Sequence, residues 1–153
     1  MDTKGRLLVV DDDRAIRKLL ERIARRAGFE VDGAKDGLEA LEMLDRTDYD
    51  IALIDLMMPR LSGYELVQRI GARQRRPVVI VATALCSSDV ASVDDTLVRQ
   101  VIRKPFDVQA IVAALNEVMQ ERKAKLPIAA TSADEQKEKK SETAPPLNLQ
   151  PPC

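Results

Sequence analysis

The apolar and polar positions of this chain follow two different periods. Five short runs rich in β-branched residues predict strands, at 6–10, 30–34, 50–54, 77–82 and 98–103. Between them, apolar residues recur with the spacing of one helix face over 16–27, 38–46, 64–73 and 108–119. A weaker pattern between Ser88 and Thr96 predicts a short or mobile helix. The chain therefore reads as five successive strand–helix units.

Candidate capping residues support this division. Asp36, followed three residues later by Glu39, resembles a capping box at the start of the second helix. Ser62 is a candidate cap for the third helix, and Gly28 stands where the first helix should end. These residues place the helix ends close to where the apolar periodicity stops.

The strict alternation of strands and helices predicts the fold class. Near-continuous apolar strands joined by helices indicate a parallel sheet that is covered on both faces and built with right-handed crossovers. We therefore expect an α/β, doubly wound domain. In such sheets ligands bind beyond the carboxyl ends of the strands, so those positions are where chemistry is to be sought.

The composition changes near residue 122. Residues 123–153 hold five of the eight prolines, no glycine and a charged run at 134–142. This composition predicts a disordered, polar and proline-rich tail, whereas residues 1–122 form one domain. Because the tail is too short and too polar for an output domain, we expect a stand-alone module that signals by binding partners.

Composition also limits the chemistry. The chain has no histidine, which excludes Ser-His-Asp and Cys-His catalysis, His-ligated zinc and phosphohistidine chemistry by the chain itself. A net charge of -1 with interspersed signs argues against nucleic-acid binding. The apolar runs are too short to span a membrane, so we expect a cytoplasmic protein whose two cysteines stay reduced.

Polar residues stand at the ends of four predicted strands. An acidic run at 11–13 follows the first strand, Asp55 the third, Thr83 the fourth and Lys104 the fifth. Each has an ordinary interpretation alone, as a helix cap, a β-former or a surface lysine. Their joint placement at one edge of a parallel sheet favours a functional site. Clustered carboxylates need neutralisation by Mg²⁺, which prefers oxygen ligands, or by the ammonium group of Lys104.

Four motifs in this order carry a family resemblance. They are Leu7-Leu8-Val9-Val10-Asp11-Asp12-Asp13, Ile54-Asp55-Leu56-Met57-Met58-Pro59 with Ser62-Gly63, Val81-Ala82-Thr83-Ala84, and Lys104-Pro105-Phe106. Over roughly residues 5 to 120 the chain resembles a response-regulator receiver domain. The resemblance implies a flavodoxin-like five-stranded sheet of order 2-1-3-4-5.

The resemblance also implies the roles of the strand-end residues. Asp55 would accept a phosphoryl group from a sensor histidine kinase or a histidine phosphotransfer protein. Asp11 and Asp12 would hold Mg²⁺ together with Asp55, with Asp12 favoured as the direct ligand. The backbone carbonyl of Met57 would complete the protein ligands of the ion.

The remaining pair of the implied site is Thr83 and Lys104, which would bind phosphoryl oxygens. The Lys104–Pro105 peptide matches a bond that is usually cis in the family. The resemblance further implies a phosphorylation-dependent protein target, whose identity stays open, and leaves homodimerisation open. It implies no turnover activity beyond slow self-dephosphorylation.

Three residues depart from the usual receiver pattern. Val101 stands where many receivers carry a switching aromatic, so the aromatic part of the usual switch is absent or replaced. Met57 and Leu85 occupy two positions that often tune hydrolysis, and neither apolar side chain can orient a water. These two residues predict slow loss of the phosphoryl group.

Two other functions remain open at this point. One is a degenerate receiver that acts as a docking module without phosphorylation, which Val101 and the irregular fourth helix would favour. The other is a Mg²⁺-dependent phosphatase with an aspartate nucleophile. The order of the motifs argues against the phosphatase, because the isolated acid follows the third strand instead of the first.

Overall fold

Strands and helices alternate along the part of the chain that the structure describes. The computed structural model describes residues 3–84, 90 and 93–125. The strands are β1 (Arg6–Val10), β2 (Glu30–Ala34), β3 (Ile51–Ile54), β4 (Val78–Thr83) and β5 (Val98–Arg103). The helices in these ranges are α1 (Arg14–Arg26), α2 (Gly37–Arg46), α3 (Gly63–Gly71) and α4 (Val108–Lys125).

The five strands form one parallel sheet in the order β2-β1-β3-β4-β5. All four residues of the central strand β3 are buried, as are four of the five residues of β1. Strands this apolar need cover on both faces, and helices supply it. The predicted doubly wound, flavodoxin-like α/β fold is confirmed.

Alternate residues of each strand face two separate cores. On one face Leu7, Val9 and Leu53 pack with apolar residues of α1 and α4. On the other, Leu8 and Ile54 pack with apolar residues of α2 and α3. The side chains of a strand alternate between the two faces of the sheet, so each buried strand contributes to both cores. This packing fixes the sheet edge from which the strand-end residues project.

Side chains at the helix starts position the loops that follow the strands. Asp13 caps α1 by accepting the N–H groups of Ala15 and Ile16. Asp36 caps α2, accepting the N–H of Glu39 at 2.8 Å, and the carboxylate of Glu39 accepts the N–H of Lys35 at 2.7 Å. Each cap satisfies backbone donors that the first turn of a helix leaves without partners.

Two further predicted boundary residues are found in their roles. Ser62 caps α3 by accepting the N–H of Glu65 at 3.2 Å. Gly28 follows the cap residue of α1, with a positive φ of 103° that glycine adopts without strain. The third and first helices therefore start and end close to the predicted positions.

Some predicted boundaries differ from the structure by a few residues. Thr83 is the last residue of β4 instead of the first residue after it, because it pairs with Arg103 of β5. Helix α3 ends at Gly71 instead of 73, and the side chain of Arg73 donates to the carbonyl of Leu44 in α2. Helix α4 continues to Lys125, so the predicted domain end at residue 122 falls within its last turn.

Several predictions fall outside the described residues. They concern most of the weak helix at 88–96, the two cysteines, Leu85 and residues 126–153 of the predicted tail. Among the residues that the structure describes, no helix combines the length and the apolar character that crossing a membrane requires.

Candidate phosphoacceptor and metal site

The carboxyl ends of β1, β3, β4 and β5 bring the predicted site residues to one edge of the sheet. Asp11 follows β1, Asp55 follows β3, and Lys104 follows β5, while Thr83 ends β4. The backbone N–H of Asp55 donates to the carbonyl of Val10 at 2.9 Å, which extends the β1–β3 pairing to the site. The sheet itself therefore sets the positions of these side chains.

Lys104 bridges the two buried carboxylates. Its Nζ lies 2.8 Å from Oδ2 of Asp11 and 3.4 Å from Oδ2 of Asp55. The Asp11 side chain is 1% exposed and that of Asp55 is 9% exposed. One ammonium thus offsets part of the charge of two desolvated carboxylates. The Lys104–Pro105 peptide is cis, as the family resemblance implies.

The electrostatics of the site leave negative charge to be neutralised. Burial raises the pKa of Asp55, and the neighbouring Asp11 adds to this rise, although Lys104 opposes it. Burial lowers the pKa of Lys104, but its hydrogen bond to Asp11 and the charges of both aspartates outweigh burial and raise it overall. Lys104 therefore stays charged, whereas the ionised form of Asp55 lacks full compensation.

Asp12 completes a cluster that suits a hard cation. Carboxylate oxygens of Asp11, Asp12 and Asp55 all lie within 4.8 Å of one another, and only Asp12 is exposed. Three oxygen ligands at one accessible point match the donors that Mg²⁺ takes while keeping some of its waters. The residues present therefore fit a magnesium ion.

Each polar group of Asp11 has a hydrogen-bond partner, and these partners come from several elements around the site. Its N–H donates to the carbonyl of Ala34, and its Oδ1 accepts the N–H of Asp13 at 2.9 Å. Its carbonyl accepts Nη1 of Arg17 at 2.8 Å, and Oδ2 accepts Lys104. Sequence reasoning missed Arg17, since nothing in its spacing distinguishes it from the other basic residues of α1.

The loop after β3 turns back tightly over Asp55. The N–H of Met57 donates to Oδ1 of Asp55 at 3.2 Å, and the N–H of Gly63 donates to the carbonyl of Leu56 at 3.0 Å. A Cβ on Gly63 would lie 2.2 Å from the carbonyl oxygen of Asp55, so only glycine fits there. The Ser62-Gly63 pair thus combines a helix cap with a close backbone approach.

Thr83 and Lys104 are neighbours across the last pair of strands. Thr83 is fully buried, and its carbonyl accepts the backbone N–H of Lys104 at 2.9 Å. Val101 lies in β5, the strand that leads to Lys104, and its side chain is 37% exposed. Met57 is 59% exposed, so its side chain borders the site without belonging to the core.

Comparison with known proteins agrees with this geometry. The model of the response regulator receiver domain family matches residues 7–116. With the parallel sheet of order 2-1-3-4-5 and the acidic edge described above, this match defines the class. The chain belongs to the response regulator receiver domain family.

Individual relatives show the same relationship. The chain is 35% identical over 119 residues to the response regulator MprA of Mycobacterium leprae, and 33% identical over 119 residues to MprA of Mycobacterium tuberculosis. These alignments cover 77% of this chain and 52% of each relative. The chain therefore spans about half the length of the curated relatives it matches.

Solved structures resemble the fold over most of the chain. The receiver domain of the Francisella response regulator 1452 has a TM-score of 0.72 at 26% identity, covering 77% of this chain and 98% of that one. TrrA from Thermotoga maritima, solved in complex with Mg(2+)-BeF, has a TM-score of 0.68 at 29% identity, covering 74% of this chain and 97% of that one.

Proposed function

We propose that the chain is a phosphoacceptor of a two-component system, which receives a phosphoryl group on Asp55 from a partner histidine. The observation that carries this proposal is the arrangement of Lys104 between Asp11 and Asp55, with Asp12 beside them. Phosphoryl transfer depends mainly on positioning and charge neutralisation, and this cluster provides both. The Mg²⁺–BeF complex of TrrA supports a similar use of the site.

The proposed reaction needs no histidine in this chain. A carboxylate oxygen of Asp55 attacks phosphorus, the O–P bond forms, and the P–N bond to the partner's histidine breaks. The electron pair of that bond stays on the imidazole nitrogen, which takes up a proton. An ionised carboxylate is already a nucleophile, so no general base is required.

The surrounding residues have distinct proposed roles. Asp11, Asp12, Asp55 and the backbone carbonyl of Met57 would hold Mg²⁺, which when bound offsets negative charge on the phosphoryl oxygens. Lys104 and the hydroxyl of Thr83 would bind those oxygens after transfer. The aspartyl phosphate carries close to two negative charges, which would draw both side chains towards it.

The phosphorylated chain would be recognised by a protein target. Contacts from Lys104 and Thr83 to the phosphoryl group would shift an equilibrium between two conformations. With Val101 in place of an aromatic, this shift would proceed without a swinging ring. The chain would thus act by phosphorylation-dependent binding in the cytoplasm, not by turnover of a substrate.

A gel assay tests the proposal against both alternatives. The wild-type chain and Asp55→Asn are incubated with a small acyl phosphate and Mg²⁺, then separated on a phosphate-affinity gel. A retarded band that requires both Asp55 and Mg²⁺ is the expected result. Absence of that band in the wild type would leave the docking module, and sustained release of inorganic phosphate from a phosphomonoester would favour the phosphatase.

A further inference from the structure

The loop after Asp55 is tied to helix α2 by an ion pair away from the three carboxylates. Nη1 of Arg60 lies 3.3 Å from Oδ2 of Asp36, the cap residue of α2. The other oxygen of Asp36 accepts the N–H of Glu39 at 2.8 Å. The Asp36 side chain is 8% exposed, and that of Arg60 is 62% exposed. One buried carboxylate therefore holds both the start of α2 and the loop.

The backbone of this loop adopts a conformation that its neighbours must maintain. Arg60 has a φ of 66°, in the left-handed region that residues with a Cβ rarely adopt. The next residue, Leu61, is buried against α2, where a Cβ on Gly37 would lie 2.8 Å from its Cδ2 atom. The conformation of Arg60 is thus maintained by its ion pair with Asp36 and by the packing of Leu61 against α2.

The same loop donates a hydrogen bond to the side chain of Asp55. Met57, three residues before Arg60, donates its N–H to Oδ1 of Asp55 at 3.2 Å. The far end of the loop is closed by the hydrogen bond from Gly63 to Leu56. Between these points, the side chain of Ser62 caps α3, and that of Arg60 pairs with Asp36 at the start of α2. Met57 and Arg60 thus lie in one short loop that is closed at Gly63.

We propose that Arg60 and Asp36 are positioning residues for the magnesium site. The pair would hold residues 56–62 so that the N–H of Met57 donates to Asp55 and its carbonyl would be available to the ion. This inference rests on the proposed function, because it assumes that Met57 supplies a ligand. Partners outside the ligand set commonly tune metal affinity in this way, by orienting the groups that bind directly.

Magnesium affinity of the full chain, measured by isothermal titration calorimetry, tests the proposal. Arg60→Gln removes the charge but keeps an unbranched polar side chain. Asp36→Asn keeps an oxygen that can cap α2. Each variant should bind Mg²⁺ about tenfold more weakly, at the low end of such effects because the Arg60 side chain is exposed. The double variant should lose no more than either single variant, since both break one interaction.

Controls separate positioning from a general loss of structure. Arg46→Gln removes the same charge from an exposed pair with Glu42 on α2 and should leave Mg²⁺ affinity unchanged. Amide hydrogen exchange without metal should become faster at Met57 and Gly63 in the Arg60 and Asp36 variants, with urea midpoints close to the wild type.

The outcomes distinguish this inference from the proposed function. If Asp12→Asn loses Mg²⁺ binding but both single variants bind as the wild type does, the positioning role is overturned and the site stands. Additive losses in the double variant would also overturn it. If Asp12→Asn binds Mg²⁺ like the wild type, the site itself is wrong, and the positioning role is overturned with it.

Discussion

Lys104 lies closer to Asp11 than to Asp55, with its Nζ at 2.8 Å from the first carboxylate and 3.4 Å from the second. The lysine therefore occupies part of the space between the groups that would share a metal ion. Both carboxylates are almost fully buried, so the ammonium is the charge that makes their proximity tolerable. A bound Mg²⁺ would take over part of this task, and Lys104 would become available to a phosphoryl group.

Removal of the Lys104 charge should destabilise the metal-free chain and increase the stabilisation that Mg²⁺ provides. Lys104→Gln should lower the free energy of unfolding of the metal-free chain by about 3 kcal/mol, because two buried carboxylates lose their cation. The same variant should gain more stability from Mg²⁺ than the wild type gains. Urea unfolding with and without Mg²⁺ measures both effects. Lys123→Gln, which removes an exposed lysine, is the control. Equal stabilisation by Mg²⁺ in Lys104→Gln and the wild type would contradict the idea that Lys104 and the ion compete for the same carboxylates.

Magnesium affinity should depend on pH through Asp55. Burial raises the pKa of this carboxyl, so it takes up a proton at a higher pH than an ordinary aspartate does. As the pH falls through that raised pKa, the proton competes with the metal, and affinity should approach a loss of about tenfold per pH unit. Calorimetric titrations at several pH values measure the slope. Asp55→Asn should bind Mg²⁺ more weakly, and its affinity should change less with pH. An equally steep pH dependence in that variant would show that a group other than Asp55 takes up the competing proton.

The exposed side chain of Met57 gives a test of phosphoryl lifetime. Because Met57 is 59% exposed, Met57→Asn can introduce an amide beside the site without disturbing either core. The amide can orient a water for attack on the acyl phosphate, so the lifetime should fall by about tenfold. Decay of the phosphorylated band after removal of the donor measures it. Met57→Leu should decay as the wild type does, and an unchanged lifetime in Met57→Asn would refute the role of this position.

Gly63 should tolerate substitution less well than its neighbour Ser62. A Cβ on Gly63 would lie 2.4 Å from the Cα of Leu56 and closer still to the carbonyl of Asp55, and backbone atoms cannot easily move away. Gly63→Ala should therefore cost about 3 kcal/mol of unfolding free energy. Ser62→Ala, which loses only a cap, should cost about 1 kcal/mol. Equal costs in chemical denaturation would show that the close approach is relieved by a local shift.

The sequence predicts the sheet edge of this site better than its supporting contacts. Asp11, Asp55 and Lys104 could be located because each follows a short run rich in apolar or β-branched residues whose end marks the end of a strand. The apolar pattern predicts that β4 ends one residue before Thr83, whereas pairing with Arg103 extends the strand to include it. Strand ends depend on cross-strand hydrogen bonds, which the pattern of one segment does not contain.

The contacts of Arg17 and Arg60 were not predictable for a different reason. Each depends on where a long side chain reaches after the elements have packed, on the carbonyl of Asp11 in one case and on the carboxylate of Asp36 in the other. Sequence spacing along one helix or loop carries no information on these distances. The left-handed backbone of Arg60 was also unexpected, because glycine or asparagine usually marks that conformation.

The most direct test of the account is the chemical identity of the phosphorylated residue. The full chain is treated with an acyl phosphate and Mg²⁺, reduced with borohydride, and digested for peptide mass spectrometry. Reduction of an aspartyl phosphate gives homoserine, and we expect it at position 55 and at no other aspartate. Homoserine at Asp11 or Asp12, or its absence under conditions in which Mg²⁺ binds, would contradict the assignment of Asp55 as the phosphoacceptor.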